Sequence, residues 1–507
     1  EHGFRGGPAY YMEKALNKYE KSIKAFEKTG DLINSTKPMN NIANIYVQHG
    51  KFEKAMEYYK KGLKAVESQG VSYLILTFLN NIAYMYMETH EYNKALGYLE
   101  ESRVLAMEIE ETNLEFLTHM NLGIVHLLTG NYEQSYNYYT MLNEKFQGKN
   151  YSFEILSFYH NFLGEFYFTF GKWEEALKYS QMAAEECKEF TIVEHMASRT
   201  RIVMIKYFKD NIYNKGAIEE IRADYREEKL EISRRASLLR LALIPFLEGD
   251  HEYLLDILEE DGELAETHFI PKLDFIRNIL IYGIRDDEES IEKLIKLETD
   301  MKRYDLPQID LILNAVLGKK FAKKGKYYEA INYLLETSDR MYRLIKNISN
   351  KDLQIGFIEK HSMDMLKVEL RKMMYEGLNI ELDCIHVEDL NEGDRIEKYF
   401  DCSQLINFIK DKDFIKITET SNYIDPEIKA INSVDTLVSK LTSDYMSNLE
   451  LILRYLAKET FAQKAYILMY DEDTNKYIPL ISLDGNYDWI PNENLLSLAN
   501  RHNNGVL

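Results

Sequence analysis

The chain has 507 residues and a formal charge of −21, a balance that argues against general affinity for nucleic acid or anionic membrane surfaces. Its apolar fraction of 45% and aromatic fraction of 12% fit a folded chain long enough for two to four domains, or for one long array plus a domain. Three cysteines, Cys187, Cys384 and Cys402, are too few for a disulfide framework and suit a reducing cytoplasm, and neither a signal peptide nor an apolar run of the ~18 residues a membrane helix needs is visible.

The first element is cut into a pattern that recurs. Ala15 and Tyr19 stand 40 residues before Ala55 and Tyr59, so the chain opens inside or just before the second helix of a unit and reads as a piece of something larger. The stretch NNIANIYVQHGKFEKAMEYYKKG, from Asn40 to Gly62, returns as NNIAYMYMETHEYNKALGYLEES, from Asn80 to Ser102. Related units follow at Leu122-Gly123 to Tyr132, at Leu163-Gly164 to Ala176, and far downstream at Leu317-Gly318 to Ala330. Each unit reads as two helices about a tight turn. Ile42, Ala43 and Tyr46 share one face of the first helix. Gly50, Gly130, Gly171 and Gly325 supply a residue tolerant of positive φ at the turn, with His90 as a departure. In the second helix Ala55, Ala95, Ala176 and Ala330, with Ser135, are small where helices cross. Tyr59, Leu99, Tyr139 and Leu334 are placed to bridge to the next pair. A fixed period with small residues at fixed offsets predicts a helical solenoid.

These Leu-Gly, Tyr, Gly-x-Tyr and Ala positions resemble the tetratricopeptide (TPR) family, in a long-repeat variant near 40 residues. The resemblance implies a mainly all-α fold: a right-handed solenoid of antiparallel helix pairs whose first helices line a concave face. It divides the chain into TPR-like repeats over 10–190, divergent helical repeats over 191–300, and a further repeat with a capping helix over 301–375. In the divergent part Pro245 is expected to kink or end a helix, and the acidic run 286–289 reads as a solvated loop. Ser349, three residues before Asp352, predicts a capping box for the final helix.

Residues 376–432 read as a linker, with a helix start at Asp425-Pro426. From 433 the register changes. Leu437, Leu441, Tyr445, Leu449, Leu453 and Leu456 predict one long amphipathic helix over 433–459, and AYILMYDEDTNKYIPLISLDG predicts two strands about a turn. A helix feeding such a hairpin resembles the opening of a GAF sensor domain, so 433–507 reads as a partial GAF-like, α+β piece.

No phosphate loop, HExxH, paired CxxC or GxSxG motif appears. Cys384 and His386 alone do not make a metal site, and the acids at 471–473 fit a hairpin tip. The expectation is therefore no enzyme activity, no cofactor and no metal. Asparagine is the unusual feature, because it is a poor helix former yet recurs inside first helices. Asn41, Asn81 and Asn121 are read as bonding neighbouring helices. Asn40, Asn44, Asn80 and Asn161, flanked by Tyr84 and Phe158, are read as a ligand face, where an amide can both donate to and accept from a peptide backbone.

The leading functional expectation is a protein- or peptide-binding scaffold and sensory segment of a cytoplasmic bacterial signalling or transcriptional regulator. Its partner would lie in the concave groove, with no nucleic-acid or membrane contact and a homodimer through 433–459 as the oligomer to test. Two alternatives stand beside it. One is a peptide-pheromone receptor built on TPR repeats, which would use the groove asparagines. The other is a nucleotide- or small-molecule-binding enzyme domain at 376–507.

Overall fold

A computed structural model describes residues 8–145, 151–188, 191–226, 230–266, 270–304, 306–361, 371, 375, 396–401, 431, 433–460, 466–471 and 476–482. Two compact units are present: 1–317 with 337–364 and 385–400, and 318–336 with 365–384 and 401–507.

The first unit is a run of paired helices. α1 (Pro8–Thr29) packs on α2 (Leu32–Gln48), in the place of a second helix. The pairs α2/α3 (Phe52–Gln69), α4 (Ser72–Glu88)/α5 (Tyr92–Ile109), α6 (Thr112–Leu128)/α7 (Tyr132–Lys145) and α8 (Phe153–Thr169)/α9 (Trp173–Cys187) follow. The segment whose repeats are blurred in sequence is equally regular. It folds as α10 (Ile192–Asp210)/α11 (Lys215–Arg226), α12 (Glu231–Glu248)/α13 (His251–Ala265) and α14 (Pro271–Gly283)/α15 (Glu288–Met301). The array continues through α16 (Pro307–Lys323), α17 (Tyr327–Ile345) and α18 (Lys351–Lys360). First helices of successive pairs touch each other, α8 with α10, α10 with α12 and α12 with α14.

The turn chemistry is what the repeat demands. Gly50, Gly130, Gly171 and Gly325 all have positive φ, and His90 adopts φ 59° in the same place. Small residues then allow close crossings: Ala55, Ala95 and Ala176 are fully buried, as is Ser135, whose hydroxyl donates to the Gly123 carbonyl at 2.9 Å. The bridging aromatics carry the stack from pair to pair. Tyr59 meets Phe78 edge-on at 6.4 Å, and Tyr139 stacks on Phe166 at 4.9 Å while sharing a 2.7 Å hydrogen bond with Tyr167. Trp173 stacks on Phe208 at 5.7 Å.

The array curls until its end meets its middle. A Cβ on Gly356 of α18 would stand 2.2 Å from the Phe170 carbonyl oxygen, so only glycine permits that approach. Phe357 packs edge-on to Tyr132 at 5.3 Å, and Gln308 donates to the Tyr132 hydroxyl at 3.1 Å. The last helices therefore rest on the α6/α7 and α8/α9 turns.

Three local expectations are corrected. Pro245 does not end its helix: it lies inside α12, which continues to Glu248 and ends at Gly249 in the left-handed region. The acidic run is a helix start: Asp287 caps α15 by accepting from the Ser290 amide at 2.7 Å, and Glu288 and Glu289 fill the first turn, where the helix dipole favours them. The cap of α18 is Asn350, which accepts from the Leu353 amide at 3.2 Å; Ser349 lies one residue too early.

In the second unit Phe321 stacks on Tyr333 at 5.6 Å. The expected single helix over 433–459 is two, α19 (Val434–Ser439) and α20 (Tyr445–Thr460). The break follows from polar side chains that prefer caps to helix interiors: Asp444 accepts from the Met446 amide at 3.1 Å, and Asn448 accepts from the Thr442 amide at 2.8 Å. Leu437 then packs with Leu451, Ile452 and Tyr455, while Leu441, Tyr445 and Leu456 stay exposed. The two expected strands are present. β1 (Tyr466–Asp471) pairs antiparallel with β2 (Lys476–Ser482), with an irregularity between Ile467 and Leu468. Cys384, Cys402, His386, Asp425-Pro426 and the hairpin tip at 472–475 lie outside the described residues.

Candidate functional site

The asparagines of the first helices form a ladder between them. Asn81 donates to the Asn40 side-chain oxygen at 2.8 Å, and one pair later Asn121 donates to the Asn80 oxygen at 3.3 Å. Asn80 is 2% exposed, and its amide nitrogen bonds Ser102 at 2.7 Å and Thr118 at 3.0 Å. It is a strut inside the stack rather than part of an open face. Asn44 accepts from the Tyr59 hydroxyl at 2.5 Å, and Asn161 accepts from both Ser198 and Arg201 at 3.0 Å. Asn40, Asn44 and Asn161 are half-buried, so each keeps an open edge beside its internal bond. The reading of Asn41 as a strut is not met in the same way, since that residue is exposed. Phe158 is half-buried on α8.

At Arg201 the ladder changes chemistry. Arg201, 2% exposed, donates through Nε to Glu165 at 2.8 Å as well as to Asn161, and Arg240 of α12 donates to the other Glu165 oxygen at 2.5 Å. One carboxylate thus lies between two guanidiniums on successive first helices, and the pairing holds Glu165 well below the usual carboxylate range against the cost of its burial. The neighbouring Arg235 is fully buried, bonded to Asp261 at 3.0 Å and Asp274 at 2.8 Å.

The curl of the array brings more distant groups onto this face. Tyr84 of α4 is hydrogen-bonded to Glu88 and lies in the field of Glu194 at the start of α10. Burial, then the Glu194 charge, raises Glu88 to about 7, opposed by Tyr84 and by Lys272 of α14. Glu194 is raised by burial, against a hydrogen bond from Thr191. Burial lowers Lys272, and Arg240 adds to that effect. Lys360, at the end of α18, is lowered to about 7 by burial, and its ammonium stands 4.1 Å from the Phe168 ring centre. His361 beside it and His90 at the α4/α5 turn are each lowered to about 3, by burial and by Lys360 and Lys272 respectively.

These groups come from α4, α8, α10, α12, α14 and α18, so side chains far apart in the chain act on one another around Glu165. Tyr84 lies among them through its bond to Glu88. Glu88, Glu165, Glu194, Arg201, Arg240, Lys272 and Lys360 were not foreseen. Their signal in the sequence is faint: Arg201 stands one period after Asn161, and charged residues interrupt otherwise apolar first helices in the blurred segment. No group of three or more metal-binding side chains occurs among the described residues, and none of their helices is long and apolar enough to cross a membrane.

No curated protein matches the chain. A family model does match: residues 9–155, from α1 into the start of α8, are similar to the soluble NSF attachment protein, SNAP, itself a TPR-like helical-repeat family.

Proposed function

We propose that this chain is a non-enzymatic protein-interaction scaffold whose first-helix groove receives a segment of a partner polypeptide. The observation that carries this reading is the convergence of Tyr84, Glu88, Glu194, Arg240, Lys272 and Lys360 from five helices around Glu165. A stack held up by buried bonds does not need partly open, desolvated charges there, whereas a binding surface does. The similarity of 9–155 to SNAP supports a helical-repeat scaffold. The test is selection of a random dodecapeptide library on the full chain. Enriched peptides should lose binding to a Tyr84→Arg variant and keep it with Met107→Arg, which alters an exposed residue of α5. Binding that follows Met107 instead, or no enrichment, contradicts the reading.

The regulator setting is a finer part of the same proposal. Helix α20 leading into the β1/β2 hairpin supports 433–507 as the opening of a GAF-like sensor domain, to which the array would pass its binding event as a shift between two states. If deleting 8–360 left the behaviour of that domain unchanged in the whole protein, the coupling would be refuted. The peptide-pheromone alternative is weakened at Asn80, which is buried and holds internal bonds.

A further inference from the structure

The charge balance around Glu165 is one-sided. Arg201 and Arg240 share that single carboxylate, and Lys272 and Lys360 both lie within electrostatic reach of it. Among the described residues no carboxylate stands within 4.0 Å of either lysine ammonium. Lys360 has an aromatic ring for a neighbour instead. Among the described residues the counter-charge for these two half-buried ammonium groups in a chain of formal charge −21 is Glu165, with Glu88 for Lys272, at longer range than an ion pair. The acid whose charge acts on Lys272 from α4, Glu88, is itself held up near neutrality and gives only partial compensation. The cations are also spread over α10, α12, α14 and α18, a spacing that suits several carboxylates along an extended chain better than one compact anion.

We infer that the groove takes an acidic segment of its partner polypeptide, with Lys272, Lys360 and Arg240 receiving its carboxylates. This rests on the groove-binding reading above and names the chemistry of the occupant. Phe168, a buried ring beneath Lys360 and 5.7 Å from the Arg240 guanidinium, holds the two cations side by side.

The test is fluorescence anisotropy of the full chain with a labelled dodecapeptide alternating Glu and Ala, and with its Gln-Ala and Lys-Ala counterparts. The Glu peptide should bind at least about tenfold tighter than the Gln peptide, with affinity falling as salt rises. The Lys272→Gln/Lys360→Gln double variant should lose that tenfold. The Lys272→Arg/Lys360→Arg variant should retain it, and so should Lys64→Gln, a change at an exposed site on α3. Melting curves report that each variant is folded. Equal binding of the Glu and Gln peptides, or an unaltered double variant, overturns the inference. So does inorganic phosphate occupying these lysines while the Glu peptide does not bind. If the Gln or Lys peptide binds and the Glu peptide does not, the acidic assignment fails and the groove reading stands; if none binds and the library yields nothing, both fail.

Discussion

Asn80 illustrates how a polar residue is made safe inside a helix stack. Its amide bonds Ser102 and Thr118 and its oxygen accepts from Asn121, so three neighbours depend on one side chain. Replacing it by Ala removes these bonds and leaves Ser102 and Thr118 only each other and the Leu114 carbonyl, and Asn80→Ala should lower stability by about 1–3 kcal/mol in urea titrations. Its effect on peptide affinity should be no larger than this instability explains. The groove charges predict a different signature, with pH. Glu88 is raised by burial and by Glu194 to about 7, so the folded state holds a proton that the unfolded chain releases near its ordinary value; this contribution is present at low pH and is lost as pH rises toward 7. Lys360 is lowered by burial to about 7, so its destabilising charge persists below that pH and stability is regained above it. The two effects together place a shallow stability minimum near neutrality. Melting temperatures at about pH 5, 7 and 9 should show it; Glu88→Gln should remove the acid-side fall and Lys360→Met the alkaline-side rise. A flat difference between wild type and variants contradicts the assignment.

At the scale of the element, the pair is a device for close crossing. Gly62 on α3 faces the Phe78 ring of α4, where an added Cβ would stand 2.3 Å from it. Gly62→Ala should therefore cost about 1–3 kcal/mol through overpacking, and Gly62→Ala/Phe78→Leu should recover much of it; equal loss in both would point to backbone entropy instead. Much of this level was legible in the sequence, because turn glycines and crossing alanines are local requirements that recur with the period. Element ends were less so. Asp287, Asn350 and Asp444 each act as caps, but a short polar residue near a break looks the same whether it caps a helix or sits in a loop. The long apolar stripe over 433–459 was misleading for a related reason: period alone does not register that Thr442, Ser443 and Asp444 favour caps over helix interior.

For the first unit as a whole, closure is the property that neighbour-to-neighbour repeats do not dictate. Phe357 reaches Tyr132 and Phe170 across 225 and 187 residues of chain. An open array unfolds piecewise, whereas this contact ties its end to its middle. Phe357→Ala should cost about 3–5 kcal/mol and broaden the urea transition; a sharp, merely shifted transition contradicts that role. The same curl brings the charged groups together around Glu165, which is why the candidate site was hardly legible. Glu88 and Lys272 are far apart in the chain, and their interaction depends on the small rotation between successive pairs. The asparagines drew attention because they recur, yet recurrence marked the ladder that holds the stack. The most direct measurement is hydrogen exchange of the full chain with and without a saturating library-selected peptide. The groove account predicts slowed exchange along α4, α8, α10, α12 and α14 with little change on the exposed face of α3, α5 and α7. Protection confined to those second helices, or none at all, would contradict it.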